Sequence, residues 1–413
     1  MTSAQNRPPV QTPLAEAERI ETLLAHLKRH YPAAGPAGLI RAPLRISPLG
    51  AHIDHQLGHV TGLTINRSLL LAFAPAGDRA VTMESLNFQP PVSFDFDHIP
   101  PSRRGDWGNY LRGAVLALQQ RHQLPHGLVG VISGEMPIGG LSSSAAVTLA
   151  YLLALQTVNQ LSIKPEEEVA LVRFTENQYI GLNNGILDQT TILFSRPNHL
   201  TYIDCRTFEV DQIATPLQPS DYDILVVYSG ASRLLTGTGY NDRVAECLEA
   251  ARLLLSYAGQ EAGPEVRLGQ VDPAIFEAEG HRLPPLLKRR ATHYFGEYRR
   301  VAVGLEAWRA GDLKRVGGLI NESGESSIKY YESGSPQLIT LYEILSQTPG
   351  VYGSRFSGGG FGGCCIALID PEAREPIAEA VQRRYPAAHP AEAAQYSLHF
   401  CRSAGPVQEI GRD

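Results

Sequence analysis

Four short segments combine residue types that could hold a phosphate or act on a hydroxyl group. In Pro137-Ile-Gly-Gly-Leu-Ser-Ser-Ser-Ala-Ala146, small residues lead into three serines and then into an apolar stretch with helical spacing. Such a junction lets the backbone approach a ligand while free helix amides face outward, and phosphate is what that end of a helix binds best. A serine N-cap behind an ordinary turn would look the same. The P-loop pattern is excluded, since no Gly-Lys-Ser/Thr occurs here. A second cluster, Ser357-Gly-Gly-Gly-Phe-Gly-Gly363, puts five glycines in seven residues between two apolar runs. A tight turn needs one or two glycines with positive φ, so this density points to backbone lying close to something bulky.

The third segment, Arg45-Ile-Ser-Pro-Leu-Gly-Ala-His-Ile-Asp54-His-Gln, ends an apolar run with a cation, a carboxylate and two imidazoles. It suits a hydroxyl-rich ligand, although Asp and His are also common in solvated loops. The fourth is Asp188 in Gly185-Ile-Leu-Asp-Gln189, a carboxylate beside apolar neighbours that needs a partner, for which Arg45 is a candidate.

The elements that must position these groups read as mixed α/β. Helical periods cover Leu14 to His30, Trp107 to Gln120, Ser142 to Leu155 and Glu166 to Ile180. Extended runs cover Leu39 to Ile46, Leu69 to Phe73, Gly127 to Ser133, Leu200 to Cys205 and Ile224 to Tyr228. Helices Tyr240 to Tyr257, Tyr294 to Ala310 and Leu313 to Tyr331 follow, closed by strands at Val351 to Phe356, Cys364 to Ile369 and Gln395 to Cys401. A chain of 413 residues exceeds one ordinary core. Two domains are therefore expected, 1–213 and 214–413, joined by the proline-containing segment Ile213 to Tyr222.

A net charge of −6 gives no basic footprint for nucleic acid or anionic membrane, and no apolar run reaches the ~20 residues of a membrane span. The polar, proline-rich first dozen residues lack a signal core, so a cytoplasmic protein is expected. Its partner should be a small molecule, and it should be a monomer or a weak homodimer. The five cysteines form neither a Cys-x-x-Cys pair nor a zinc pattern and read as buried thiols.

Taken together, in order from about Ala42 to Gly405, these segments resemble the galactokinases, a branch of the GHMP kinases. Arg45 to Gln56, Pro137 to Ala146 and Gly353-Ser-Arg-Phe-Ser-Gly-Gly-Gly-Phe-Gly-Gly363 match the three motifs of that family. Trp107-Gly-Asn-Tyr110, Gly185 to Gln189, Ile203-Asp-Cys-Arg206 and Tyr240-Asn-Asp-Arg243 add to the match. The resemblance implies a ribosomal-protein-S5-like N-terminal domain and a ferredoxin-like C-terminal domain, with ATP and sugar in the cleft between them. It also implies Asp188 as the catalytic aspartate at the anomeric hydroxyl and Arg45 as its partner. By the same resemblance Ser144 and Glu176 are Mg²⁺ ligands, and His52, Asp54 and Tyr240 contact the sugar. Gly139, Gly140, Leu141, Ser142, Ser143, Ser144 and Ala145 line the ATP phosphates, supported by Gly358, Gly359, Gly360 and Gly362.

Two departures stand out. The second motif is one residue shorter than Pro-x-Gly-x-Gly-Leu, so single glycines are not assigned to single phosphates. At Ala51, galactokinases usually carry a glutamate that accepts a hydrogen bond from the hydroxyl on sugar carbon six. A uronic acid carries a carboxylate there, and a facing glutamate would repel it by up to about 4 kcal/mol at ~4 Å and an effective dielectric near 20. Alanine removes that conflict. Pro48 to Gln56, Thr64-Ile-Asn66, Gly140 to Ala146 and Asn184 to Gln189 are similar to strings of plant galacturonokinases. The expected reaction is ATP-dependent phosphorylation of D-galacturonate at the anomeric hydroxyl. The alternatives are a galactokinase or another uronic-acid kinase and, more remotely, a sensor that binds sugar and ATP without turnover. His55, His59, Thr61, Arg233 and backbone amides are candidates for meeting carbon six.

Overall fold

A computed structural model describes residues 10, 14–136, 139–231 and 239–411. Pro137, Ile138 and Arg233 lie outside the described residues. The first half runs α1 (Glu16–His30), β1 (Gly38–Ile46), β2 (His59–Pro75), β3 (Ala80–Ser85), β4 (Val92–Asp95), α2 (Asn109–Gln119), β5 (Leu128–Gly134), α3 (Ser143–Asn159), α4 (Pro165–Phe174), α5 (Leu187–Phe194), β6 (His199–Asp204) and β7 (Glu209–Ala214). Helix α1 carries Glu16 and Glu18 in its first turn and Lys28, Arg29 and His30 in its last, in accord with the helix dipole. Its Leu23 and Leu27 bury against Leu39, Leu70, Ala72 and Val131 on the outer face of the sheet.

That sheet has the order β12-β1-β2-β5-β3-β4, where β12 is the short strand Gln408–Glu409 from the end of the chain, with β6 and β7 joined at the far end of β2. Strand β2 is far longer than the apolar run Leu69 to Phe73 suggests. It pairs with β1 from Leu63 to Phe73, with β5 from Leu69 to Pro75 and with β6 at His59 to Gly62. Asn66 and Arg67, which interrupt the apolar pattern, fall at a bulge in the pairing with β1, between Ile65 and Ser68.

The second half runs β8 (Asp223–Tyr228), α6 (Tyr240–Tyr257), α7 (Pro273–Glu279), α8 (Pro285–Ala310), α9 (Leu313–Ser326), α10 (Pro336–Ser346), β9 (Val351–Phe356), β10 (Cys364–Ile369), α11 (Arg374–Ala388), β11 (Ser397–Cys401) and β12 (Gln408–Glu409). Its sheet is antiparallel with order β11-β8-β10-β9, and helices separate β8 from β9 and β10 from β11. This is the ferredoxin-like βαββαβ connectivity. Leu44 and Ile46 of β1, Ile224 and Val226 of β8 and Cys364 of β10 belong to one apolar cluster, so the two sheets share a core. The chain crosses from the first sheet to the second between β7 and β8, and β12 returns to pair with β1. All five cysteines are buried and unpaired. Among the described residues no helix is long and apolar enough to cross a membrane.

Candidate active site

The shared core positions a cavity of about 960 Å³ whose lining comes from both halves. Such a volume suits a nucleotide with a small second ligand. Arg45, near the end of β1, is 4% exposed, and its backbone N–H donates to the Leu141 carbonyl. Its Nε donates to Asp188 Oδ1 at 2.7 Å, with Nη2 2.6 Å from the same oxygen. Nη1 donates to the Gly140 carbonyl at 3.1 Å and lies 3.4 Å from Ser357 Oγ. Residues 143 positions apart are thus joined, and the partner that Asp188 requires is Arg45. Asp188 sits in the first turn of α5, a helix that hydrophobic periodicity does not reveal.

Asp54 lies on the same cavity and accepts a long hydrogen bond from Leu187 N–H, 3.4 Å from its Oδ2. A Cβ at Gly185 would overlap the Asp54 carboxylate, which is the physical reason for a glycine three residues before Asp188. Burial, then the nearby Asp188, pushes Asp54 up to about 6. The fold therefore holds the Asp54 proton more tightly than the unfolded chain does. Stability contributed by the protonated form is present below about pH 4 and is lost as pH rises through about 6. Without ligands, Asp54→Asn should gain about 2 to 3 kcal/mol on the parent chain between pH 4 and pH 7.5. Urea unfolding at several pH values measures this, and a pH-independent difference would exclude the raised carboxyl.

Glu176 stands where the helical period of 166–180 breaks. Helix α4 ends at Phe174, and residues 175–180 form a π-helical turn, a form that recurs at functional sites. Glu176 is 1% exposed, with Oε2 accepting from Asn184 Nδ2 at 2.5 Å and Oε1 buried without a partner. Burial, with Asp188 adding to it, raises its carboxyl to about 7, while the Asn184 amide, the Ser144 hydroxyl and Arg45 pull the other way. Three carboxylates thus face one arginine. An orphaned buried carboxylate oxygen beside a hydroxyl is a donor set that fits a hard divalent cation such as Mg²⁺.

Across the cavity, α3 begins at Ser143. Ser142 is left-handed with φ 56°, makes no capping bond, and its Oγ is buried and unpartnered. An ordinary serine cap is therefore not what this residue does, and the helix end stays open toward the cavity. The two glycine clusters meet here. A Cβ at Gly140 would stand 2.6 Å from the Ser357 carbonyl oxygen, and one at Gly358 2.7 Å from Gly140 Cα. A Cβ at Gly363 would fall 2.6 Å from the Gly139 carbonyl carbon. The bulky neighbour that explains the density of glycines is each loop's counterpart.

Leu141, Ser142, Ser143, Ser144, Gly139, Gly140, Gly358, Gly359 and Gly362 line the cavity, as do Ala51, His52 and Tyr240. Burial, with Asp54, Asp188 and Glu176 nearby, holds the Tyr240 hydroxyl well above its ordinary pKa. Ala145 is fully buried in the core, Glu176 stands behind the wall, and Gly360 accepts the N–H groups of Gly334 and Ser335. None of these three is part of the cavity lining.

The residues 50–52 are held from behind by α8, a feature that no motif announces. Glu297 Oε2 accepts the N–H groups of Gly50 and Ala51 at 2.9 and 3.0 Å, and His293 Nε2 donates to the Ala51 carbonyl at 2.8 Å. His52, with φ 57°, stacks on Tyr331 at 4.3 Å and 5°. Spacing on α8 carried the signal: a histidine and a glutamate four apart share one helix face. Of the residues considered for carbon six, His55, His59 and Thr61 lie off the cavity. His55 pairs with Tyr331, His59 with Asp204, and Thr61 with Leu49.

Residues 109–196 match the model for the GHMP kinases N terminal domain, and residues 304–387 that for the GHMP kinases C terminal. A galacturonokinase of Arabidopsis thaliana is 46% identical over 376 residues, covering 86% of this chain and 88% of its own. A galactokinase of Roseiflexus sp. (strain RS-1) is 34% identical, covering 94% and 96%. The crystal structure of Lactococcus lactis galactokinase complexed with galactose superposes with a TM-score of 0.87 at 29% identity, covering 95% of this chain and all of that one. With an ion-paired aspartate and an open helix end on one cavity, a buried carboxylate outside its lining, and relatives matched along nearly their whole length, the chain belongs to the galactokinase family of GHMP kinases.

Proposed function

We propose that this protein transfers the γ-phosphoryl group of ATP to the anomeric hydroxyl of D-galacturonate, giving the α-1-phosphate. The observation that carries the phosphoryl chemistry is the Arg45–Asp188 pair facing the open end of α3 across one cavity. Ala51, with no carboxylate at a position where galactokinases usually have one, carries the choice of a uronic acid, and the galacturonokinase of Arabidopsis thaliana supports it. Phosphoryl transfer is chiefly positioning and charge neutralisation around a loose transition state. Asp188 orients the anomeric hydroxyl and takes its proton as the bond to phosphorus forms. Arg45 holds Asp188 in place through its ion pair and faces the transferring group. The amides at Ser142 to Ser144 receive the phosphates, and Asp54, His52 and Tyr240 fix the sugar. Ser144 and Glu176 would hold Mg²⁺, which when bound neutralises phosphate charge.

Residues 1–213 form the first domain in this reading and 214–413 the second, with β12 returning to the first sheet. Unpaired cysteines suit a reducing compartment, and we place the protein in the cytoplasm. ADP release across galacturonate, glucuronate, galactose and N-acetylgalactosamine tests the assignment. Fastest turnover of galactose would make the chain a galactokinase, and no turnover of any sugar would make it a sensor.

The metal assignment has its own test. Glu176→Gln and Ser144→Ala each remove an oxygen from the shell, so half-maximal activity should require at least about five-fold more Mg²⁺. Activity against magnesium concentration reads this directly. An unchanged dependence in both variants would place the ion elsewhere.

A further inference from the structure

A buried cation on the cavity wall has no counter-ion among the described residues. Arg355, on β9, is 2% exposed and lines the same cavity as Ala51 and His52. Its Nη1 donates to the Ser47 carbonyl at 3.0 Å, while Nε is buried without a partner. Among the described residues no carboxylate pairs with it. Glu297 is the acid nearby, but its Oε2 already accepts from Gly50, Ala51 and Ser323, and its Oε1 is taken by Arg300. A buried, unpaired guanidinium is costly unless an anion arrives to match it. Burial accordingly pulls its pKa down to about 10, with Glu297 offsetting part of the effect.

The place of this charge says which anion. Arg355 lies within electrostatic reach of His52, His293 and Arg45, and therefore at the end of the cavity bounded by residues 47–52. Ala51 and His52 line the cavity with it, and Ala51 presents no more than a methyl. A guanidinium fork matches a planar carboxylate in shape and charge.

We propose that Arg355 is the carboxylate-binding residue of the sugar site, pairing through its free nitrogens with the carbon-six carboxylate of a hexuronic acid over the methyl of Ala51. This rests on galacturonate being the acceptor. Arg355 does no chemistry; with the alanine at position 51 it favours a sugar whose carbon six bears a carboxylate, held in register with Asp188.

The test compares kcat/KM for D-galacturonate and D-galactose in the parent chain, in Arg355→Met and in Arg355→Gln, which keeps a donor for Ser47 should the methionine variant fail to fold. Loss of the pair should lower kcat/KM for galacturonate about thirty-fold or more and that for galactose less than about three-fold, so their ratio collapses. Removing an unpaired buried charge should leave the Tm of the ligand-free protein unchanged or higher. Equal losses on both sugars would reduce Arg355 to a structural role and overturn the proposal. A rise confined to KM for ATP would assign the guanidinium to a phosphate and overturn it as well. A parent chain that prefers galactose would sink the choice of substrate instead, so the two failures are distinguishable.

Discussion

Asp188→Asn should abolish turnover, lowering kcat by about 10³-fold or more, while the Kd for ATP changes no more than a few-fold. The carboxylate meets the acceptor hydroxyl, and its charge matters most as the proton leaves, so the loss falls on the transition state. Both of its contacts from Arg45 converge on Oδ1, which an asparagine oxygen could still accept, so the local arrangement survives while the charge does not. Single-turnover assays and nucleotide titration measure the two quantities. A kcat within ten-fold of the parent would remove Asp188 from its role. Arg45→Ala should be similarly severe, and the double variant far less than additive, because each residue holds the other in its working state. Full additivity would mean that they act apart.

Ala51→Glu should reverse the sugar preference. Residue 51 is 2% exposed, sits on the cavity wall and is fixed by Glu297 and His293 through its backbone alone, so a new side chain does not disturb its anchors. A like-charge contact worth half the Coulomb estimate, ~2 kcal/mol, lowers kcat/KM for galacturonate roughly thirty-fold. The introduced carboxylate would also take up the free nitrogens of Arg355, withdrawing them from substrate. Galactose should gain less, since one hydrogen bond contributes about 0.5 to 1.5 kcal/mol and the added volume must be accommodated. The quantity to follow is the galacturonate-to-galactose ratio of kcat/KM in parent and variant. An unchanged ratio would show that residue 51 does not face carbon six.

Much of this site was legible before any coordinates, because phosphate and sugar chemistry rely on short contiguous segments. The serine run, the glycine run and the 45–56 segment each declare themselves by residue type, and the helix start near Ser142 follows from local spacing. What stayed hidden depends on contacts between distant segments. The residue types offered Arg45 as a candidate partner for Asp188 and the family resemblance implied the pair, but its geometry came only with the fold, and α5 is only eight residues long, too short to show a period. The π-helical turn at Glu176 leaves no trace in a pattern that reads as continuous helix from 166 to 180. Helix α8 starts at Pro285 rather than Tyr294, and its first turns mix Lys288, Arg289 and the buried Arg290 with buried Leu287 and Ala291, so His293 fell outside the helix read from the sequence. Arg355 stood in view as one letter of a motif. Its significance lies in the partner it lacks, which only packing reveals.

The interlocked glycine loops also constrain how this family can be recombined. Gly139 and Gly140 touch Gly358 and Gly363 backbone to backbone, with more than two hundred residues of sequence between them. A chimera that takes its first half from one parent and its second from another inherits two loops that never packed together, and the second motif of this chain is one residue shorter than usual. Crossovers on either side of Ile213 to Tyr222 should therefore yield active proteins only when both loops come from the same parent, however well the rest of the two halves match.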